Sequence, residues 1–169
     1  MAAPVAGASA FRPVGDDNLE DANMSKDITF LLVEDDDIHA HLVVRSLERS
    51  PLKAQVYRVT SGLQALGFLH RKGEYSSAPR PDVVLLDLKL PIVDGHEVLA
   101  AIKCDESLRT IPVIVMTTSR DDGDLAKAYR HYANSYIVKP ADYQRFREVV
   151  MEISHYWGER NEPPCFAST

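Results

Sequence analysis

Cysteine is scarce in this chain, with only Cys104 and Cys165 among 169 residues. Two cysteines, one in a predicted helix and one near the end of the chain, do not form the disulfide framework that small secreted domains use. We therefore expect a reducing, cytoplasmic location.

Long apolar runs are also missing. No stretch approaches the roughly 20 apolar residues that a helix needs to cross a bilayer, so no membrane contact is predicted. The opening stretch MAAPVAGASAFRPVGDD lacks both the basic start and the unbroken apolar segment of an export signal.

Positive charge is in deficit. The chain has 19 Lys and Arg against 25 Asp and Glu, which gives a formal charge of −6. Binding to duplex nucleic acid requires a clustered basic face, and the sequence offers none, so nucleic acid is not a predicted partner. The length and the 45 % apolar content suit one globular domain with a sizeable core.

Three motifs of common enzymes on α/β folds are absent. The chain has no G-x-x-x-x-G-K-S/T, no G-x-G-x-x-G and no G-x-S-x-G. The first absence excludes a P-loop nucleotide hydrolase, the second gives no support to a dinucleotide site, and the third gives none to a nucleophile elbow.

The chain does contain a regular alternation of strand-like and helix-like segments from Ile28 onward. Uniformly apolar strands separated by amphipathic helices indicate a parallel sheet that is buried on both faces. The sequence therefore predicts an α/β fold, a doubly wound five-stranded parallel sheet with helices on both faces. The predicted strand segments are ITFLLV, AQVYRVT, DVVLLD, IPVIVMTT and SYIVK.

Polar side chains follow four of these strands. Glu34 and Asp35 come after the first, Asp87 after the third, Thr117 ends the fourth and Lys139 ends the fifth. Ligands of such sheets bind beyond the carboxyl ends of the strands. Converging carboxylates favour a hard divalent cation such as Mg²⁺, and Asp87 could then act as a nucleophile toward a phosphoryl group.

Some neighbouring polar residues have a simpler explanation. Asp36 or Asp37 is expected to cap the first helix, where the helix dipole favours negative charge. His39 and His41 lie two positions apart and hence on different faces of that helix, so they do not make a metal pair. All six histidines are interpreted as structural or exposed.

The strand-end motifs and the stretch DLKLPIVDG resemble those of the receiver domain of bacterial two-component response regulators. The resemblance implies a flavodoxin-like receiver fold and assigns Asp87 as the phosphoacceptor. It also implies that Glu34, Asp35, Asp87 and the backbone carbonyl of Lys89 hold Mg²⁺.

The same resemblance gives roles to three residues of the last two strands. Thr117 and Tyr136 match the family's switch pair, and Lys139, followed by Pro140, matches its phosphate-contacting lysine. The Lys139–Pro140 bond is a candidate cis peptide because the chain must turn sharply there. Ala141 departs from the family pattern, which usually has phenylalanine at this position.

The ends of the chain suggest a division into three parts. Residues 1–27 are expected to be a flexible leader, residues 28–157 the receiver domain and residues 158–169 a tail. Met24 is an alternative start. Because the tail is too short for an output domain, output is expected to occur through a partner or another receiver.

The last predicted helix carries an apolar stripe that continues into two aromatic residues. Most of the stripe is explained by packing on the sheet, but its length also favours a self-complementary interface. The chain is similar to the stand-alone receivers that partner bacterial phytochromes, which implies a homodimer through the fourth helix, fifth strand and fifth helix. The candidate interface residues are Phe146, Val150, Ile153, Tyr156 and Trp157.

The resulting hypothesis is a single-domain response regulator that accepts a phosphoryl group from a sensor histidine kinase, with a bacterial phytochrome as one candidate. The protein is expected to be a phosphoacceptor with slow self-dephosphorylation and not an enzyme, because Lys89 replaces the second aspartate typical of aspartyl-phosphate phosphatases. Two alternatives stay open: a phosphorylation-independent interaction module, and a relay intermediate that passes the group to a histidine phosphotransfer protein.

Overall fold

The computed structural model of the chain describes residues 27–162. Its five strands form one parallel sheet in the order β2-β1-β3-β4-β5. The strand order changes direction at β1, which pairs with β2 on one side and β3 on the other. The strands are β1 Ile28–Val33, β2 Ala54–Val59, β3 Val83–Leu86, β4 Val113–Thr117 and β5 Ser135–Val138.

Five α-helices connect and follow the strands, as the sequence predicts. The fifth helix continues into a π-helical turn, Tyr156–Arg160, and a short 3-10 turn, Gly73–Tyr75, precedes β3. Within residues 27–162 no helix is long and apolar enough to cross a membrane. The helices are α1 Asp37–Glu48, α2 Gly62–Leu69, α3 Gly95–Cys104, α4 Asp122–Arg130 and α5 Tyr143–His155.

The side chains of the central strands alternate between two cores, because successive residues of a strand point to opposite faces. Leu31 and Val33 pack with α2, α3 and α4 in one core, whereas Phe30 and Leu32 pack with α1 and α5 in the other. Both faces are apolar, which explains why these strands have no polar alternation.

Four helices begin at an aspartate whose side chain accepts a hydrogen bond from the backbone N–H three residues later. Asp36 caps α1 in this way, as predicted, and Asp94, Asp121 and Asp142 cap α3, α4 and α5. Such caps fix where each helix begins, and so fix the length of the loops that surround the strand ends.

Several predictions concern parts of the chain outside the described residues. The leader, apart from its last residue, lies there together with Met24, Cys165 and the tail from residue 163 onward. The domain limits of 28–157 stay a prediction.

Candidate functional site

The acidic loop after β1 holds two carboxylates with very different exposure. Glu34 is 2 % exposed, and its backbone N–H donates to the Val59 carbonyl at 3.0 Å, which continues the pairing of β1 with β2. Asp35 is exposed. The loop therefore presents one buried and one solvent-facing carboxylate at the end of the central strand.

Arg58 of β2 braces this loop, and the sequence analysis did not identify it. Its Nε donates to the Glu34 carbonyl at 3.1 Å and its Nη2 to the Asp35 carbonyl at 3.2 Å. The same Nη2 lies 2.8 Å from Asp37 Oδ1. A lone arginine within the otherwise apolar or uncharged segment AQVYRV was the available signal.

Asp87 follows β3 directly and is buried, with 7 % of its surface exposed. Its Oδ1 accepts a hydrogen bond from the Lys89 N–H at 3.2 Å. Gly95 allows α3 to begin against this strand end, because a Cβ there would collide with the Asp87 carbonyl and lie 2.6 Å from Leu88 Cα. Glycine is thus required by close backbone approach.

Lys139 lies between the two buried carboxylates. Its Nζ is 2.5 Å from Glu34 Oε2 and 2.6 Å from Asp87 Oδ2. Its backbone N–H donates to the Thr117 carbonyl at 2.7 Å, which anchors the end of β5 to β4.

The predicted cis peptide bond between Lys139 and Pro140 is wrong, since no described peptide bond is cis. The trans form is the more stable one even before proline.

Burial dominates the protonation of Glu34. It raises the pKa of this carboxyl to about 7, while the Lys139 ammonium lowers that pKa and the Asp87 carboxylate raises it. The desolvation of the charged form thus outweighs its ion pair.

The three predicted acidic ligands come together. One carboxylate oxygen each from Glu34, Asp35 and Asp87 lies within 4.8 Å of the others. Oxygen donors of this kind suit a hard divalent cation. The metal contact of the Lys89 carbonyl stays a prediction, since this residue is positioned here by its N–H bond to Asp87.

The two predicted switch residues meet through a third that the sequence analysis missed. Thr117 is fully buried, and its Oγ1 accepts a hydrogen bond from the Ser119 N–H at 3.2 Å. The hydroxyl of Tyr136 donates to the Ser119 carbonyl at 3.3 Å. Burial raises the pKa of Tyr136, so its hydroxyl stays a donor at neutral pH.

The resemblance implies a set of polar residues at the ends of four parallel strands. The structure has this set: two carboxylates after β1, a buried aspartate after β3, a threonine at the end of β4 and a lysine after β5. The family model of the response regulator receiver domain matches residues 30–151. This chain belongs to that family. The predicted family and fold are therefore confirmed.

Relatives of this receiver include regulators from an archaeon and a cyanobacterium. The receiver is 46 % identical over 134 residues to the probable methanogenesis regulatory protein FilR2 of Methanothrix harundinacea, with 79 % of this chain and 86 % of the relative covered. It is 40 % identical over 129 residues to the response regulator Rcp1 of Synechocystis sp., with 76 % and 88 % covered.

Two solved structures share its fold. The Mn²⁺-bound form of Rcp1 has a TM-score of 0.79 at 38 % identity, with 82 % of this chain and 99 % of the other covered. The phosphorylated cyanobacterial phytochrome response regulator RcpA has a TM-score of 0.80 at 37 % identity, with 83 % and 100 % covered. The receiver is thus related to phytochrome response regulators.

The predicted interface stripe of this receiver is mostly internal. Phe146, Val150 and Ile153 are buried in the core between α1, α5 and the sheet, so these three are not available to a second copy and their assignment to an interface is corrected. Their helical spacing reflects the face that packs on the sheet. Trp157 is half-buried against the same core, and Tyr156 is 55 % exposed.

Proposed function

We propose that this receiver accepts a phosphoryl group from a sensor histidine kinase on Asp87. One observation carries the proposal: the Asp87 carboxylate stands at a strand end within reach of both a lysine ammonium and two further carboxylates. In the transfer, a carboxylate oxygen of Asp87 forms a bond to phosphorus while the bond from phosphorus to the kinase histidine nitrogen breaks. The product is an aspartyl phosphate.

The residues that would hold Mg²⁺ are Glu34, Asp35 and Asp87, with the Lys89 carbonyl as a fourth donor. Bound Mg²⁺ supplies positive charge next to the phosphoryl oxygens. The Mn²⁺-bound form of the related Rcp1 supports a divalent cation at this kind of site, and the oxygen-only donor set favours magnesium among the common ions.

The remaining pocket residues have separate tasks. Lys139 already contacts the acceptor carboxylate and would form a charge-assisted contact with a phosphoryl oxygen. Thr117 would donate its hydroxyl to another phosphoryl oxygen. Self-dephosphorylation would be slow, because Lys89 offers no carboxylate to activate a water molecule for attack.

The partner in this proposal is a phytochrome-type sensor kinase. The support comes from the relatives, since RcpA is a cyanobacterial phytochrome response regulator whose phosphorylated form has been solved. We place the transfer in the cytoplasm, following the scarcity of cysteine. The phosphorylation-independent module is disfavoured, because Asp87 and Lys139 lie in hydrogen-bonding contact.

A homodimer through α4, β5 and α5 is also part of the proposal, on a revised set of residues. Because α5 packs its apolar stripe on the sheet, the aromatic residues left exposed here include Tyr129 on α4, Tyr143 on α5 and Tyr156 in the turn that follows α5. Exposed aromatic side chains are enriched at protein interfaces. Tyr156 also makes an edge-on contact with the Trp157 ring, with centroids 5.3 Å apart.

Phosphotransfer to the Asp87→Asn variant tests the acceptor assignment. The variant and the wild type are incubated with a phosphorylated phytochrome-type kinase and Mg²⁺, and hydroxylamine-sensitive label is measured. We expect label on the wild type and none on Asp87→Asn, because an amide is a far poorer nucleophile.

Asp82→Asn is the matched control, since Asp82 lies at the opposite end of β3, where it accepts a hydrogen bond from the Thr29 N–H. The control should be labelled like the wild type. Label that persists on Asp87→Asn would refute the acceptor, and label from an unrelated kinase alone would refute the phytochrome partnership.

A further inference from the structure

Every polar atom of Ser119 forms a hydrogen bond, and these bonds hold the loop between β4 and α4. Besides its bonds to Thr117 and Tyr136, its Oγ donates to Asp124 Oδ2 at 2.6 Å and accepts from the Asp121 N–H at 3.3 Å. The loop that follows Thr117 is therefore fixed to the first turn of α4.

Asp124 joins this loop to α3. Its second oxygen, Oδ1, lies 3.1 Å from Nε2 of His96, which stands in the first turn of α3. The hydrogen bonds from Ser119 and His96 lower the pKa of Asp124, so it is a charged acceptor at neutral pH. Both of its oxygens are engaged.

His96 is buried, with 6 % of its surface exposed, and its Nδ1 has no hydrogen-bond partner in the described part of the chain. Burying a polar nitrogen without a partner costs free energy. An apolar side chain at this buried position would avoid that cost. The contact of Nε2 with Asp124 is the feature that an apolar residue could not provide.

The direction of the hydrogen bonds determines what this chain of contacts does. Since the Ser119 N–H donates to Thr117 Oγ1, that oxygen acts as an acceptor toward the loop, and its own hydrogen is free to point elsewhere. An anionic phosphoryl group on Asp87 requires such a donor. The bond from Ser119 thus leaves the hydrogen of the Thr117 hydroxyl available for donation to such a group.

We propose that His96 is a positioning residue that, through Asp124 and Ser119, pre-orients Thr117 and Tyr136 for the phosphorylated state. This inference depends on the proposed function, because it concerns the phosphoryl group on Asp87. Pre-organisation lowers the free-energy cost of binding. Loss of the network should therefore weaken the affinity of the pocket for a phosphoryl group, although none of the lost contacts is made to that group.

Beryllofluoride binding in the presence of Mg²⁺ tests the proposal on the full chain. The apparent dissociation constant is measured by NMR titration for the wild type, His96→Leu and His96→Gln. We expect His96→Leu to bind roughly three- to tenfold more weakly, an effect of the size of one ordinary intramolecular hydrogen bond. Glutamine has an N–H at the place of the histidine Nε2–H, so His96→Gln should recover most of the affinity.

Two further variants separate positioning from a general loss of stability. His70→Leu is the matched control: His70, the residue after α2, lies 3.9 Å from the carboxylate of Asp105, the residue after α3. Its loss should leave the affinity unchanged. Ser119→Ala removes the bond to Asp124 from the other side without a change in a buried imidazole. Combining it with His96→Leu should weaken binding no more than either change alone, because both break the same path.

Each outcome decides one question. Three results would refute the positioning role. One is wild-type affinity in both His96→Leu and Ser119→Ala, and the second is tighter binding in either. The third is an affinity of His96→Gln no better than that of His96→Leu. If His96→Leu does not fold, Ser119→Ala alone decides. If the wild type does not bind beryllofluoride at all, the proposed phosphoacceptor function fails and this inference falls with it.

Discussion

Replacement of Lys139 with methionine removes the cation that lies between two buried carboxylates. Methionine keeps an unbranched stem of similar length but leaves Glu34 and Asp87 without the ammonium that now lies 2.5 and 2.6 Å from their oxygens. Breaking a buried ion pair by removing one partner costs about 3–5 kcal/mol. We expect the free energy of unfolding to fall by about this amount above neutral pH when no divalent cation is present.

The pH dependence of this loss follows from Glu34, whose pKa is already raised to about 7. Without Lys139, which lowers it, this pKa rises further. A raised pKa in the folded state contributes stability that is full below the pKa of the unfolded chain and is lost as the pH rises through the folded value. The variant should therefore be closest to the wild type in mild acid and fall furthest behind above neutral pH.

Urea unfolding followed by circular dichroism measures the loss in free energy of unfolding. The measurement is made in mild acid and in mild base, each with EDTA and with excess Mg²⁺. A cation bound by the folded pocket stabilises it by mass action, so Mg²⁺ should narrow the difference in base. Lys53→Met, at an exposed lysine, is the control and should change stability by less than about 0.5 kcal/mol. A Lys139→Met loss no larger than that of the control, or equal at both pH values, would refute the ion-pair argument.

Three other outcomes are expected. Asp35→Asn should reduce Mg²⁺ affinity by roughly tenfold or more, because it removes a charged oxygen ligand; an unchanged Mg²⁺ titration would contradict its role. Gly95→Ala should cost about 1–3 kcal/mol in urea unfolding, since the new Cβ meets Leu88 Cα at 2.6 Å, and a wild-type midpoint would show that α3 can shift. Tyr156→Glu should move the protein toward monomer in light scattering while Asp87 is still labelled, and a wild type that is monomeric at high concentration would remove the dimer proposal.

The fold and the acidic pocket were predictable because each strand is a short apolar run with a clear end. Parallel strands bring their carboxyl ends to one edge of the sheet, so Asp87 and Lys139 had to meet once the strands were located. Because the strands are apolar on both faces of the sheet, helices had to cover both faces. Distance along the chain was no obstacle, since the topology itself determines which strand ends are close.

The apolar stripe on α5 shows that helical periodicity alone does not distinguish a face buried in the core from a face that forms an interface. Phe146 and Val150 recur at the spacing that either an inward-facing or an interface-forming stripe would have, and only the position of the sheet shows that they face inward. The contact of His96 with Asp124 was not predicted, for a different reason. Its partner, Asp124, is 28 positions away on another helix, and no local pattern in the sequence predicts which helix faces are in contact.

The contact between Lys139 and Glu34 joins residues 105 positions apart, which has a consequence for the order of folding. Contacts between distant residues carry a high entropic cost of loop closure and form late unless nearer contacts have already shortened the loop. The first and last strands can share this ion pair only after β3 and β4 have placed β5 within reach of β1. We therefore expect the contact between Lys139 and Glu34 to form among the last in the domain, so that this ion pair is present only in molecules whose whole sheet has assembled.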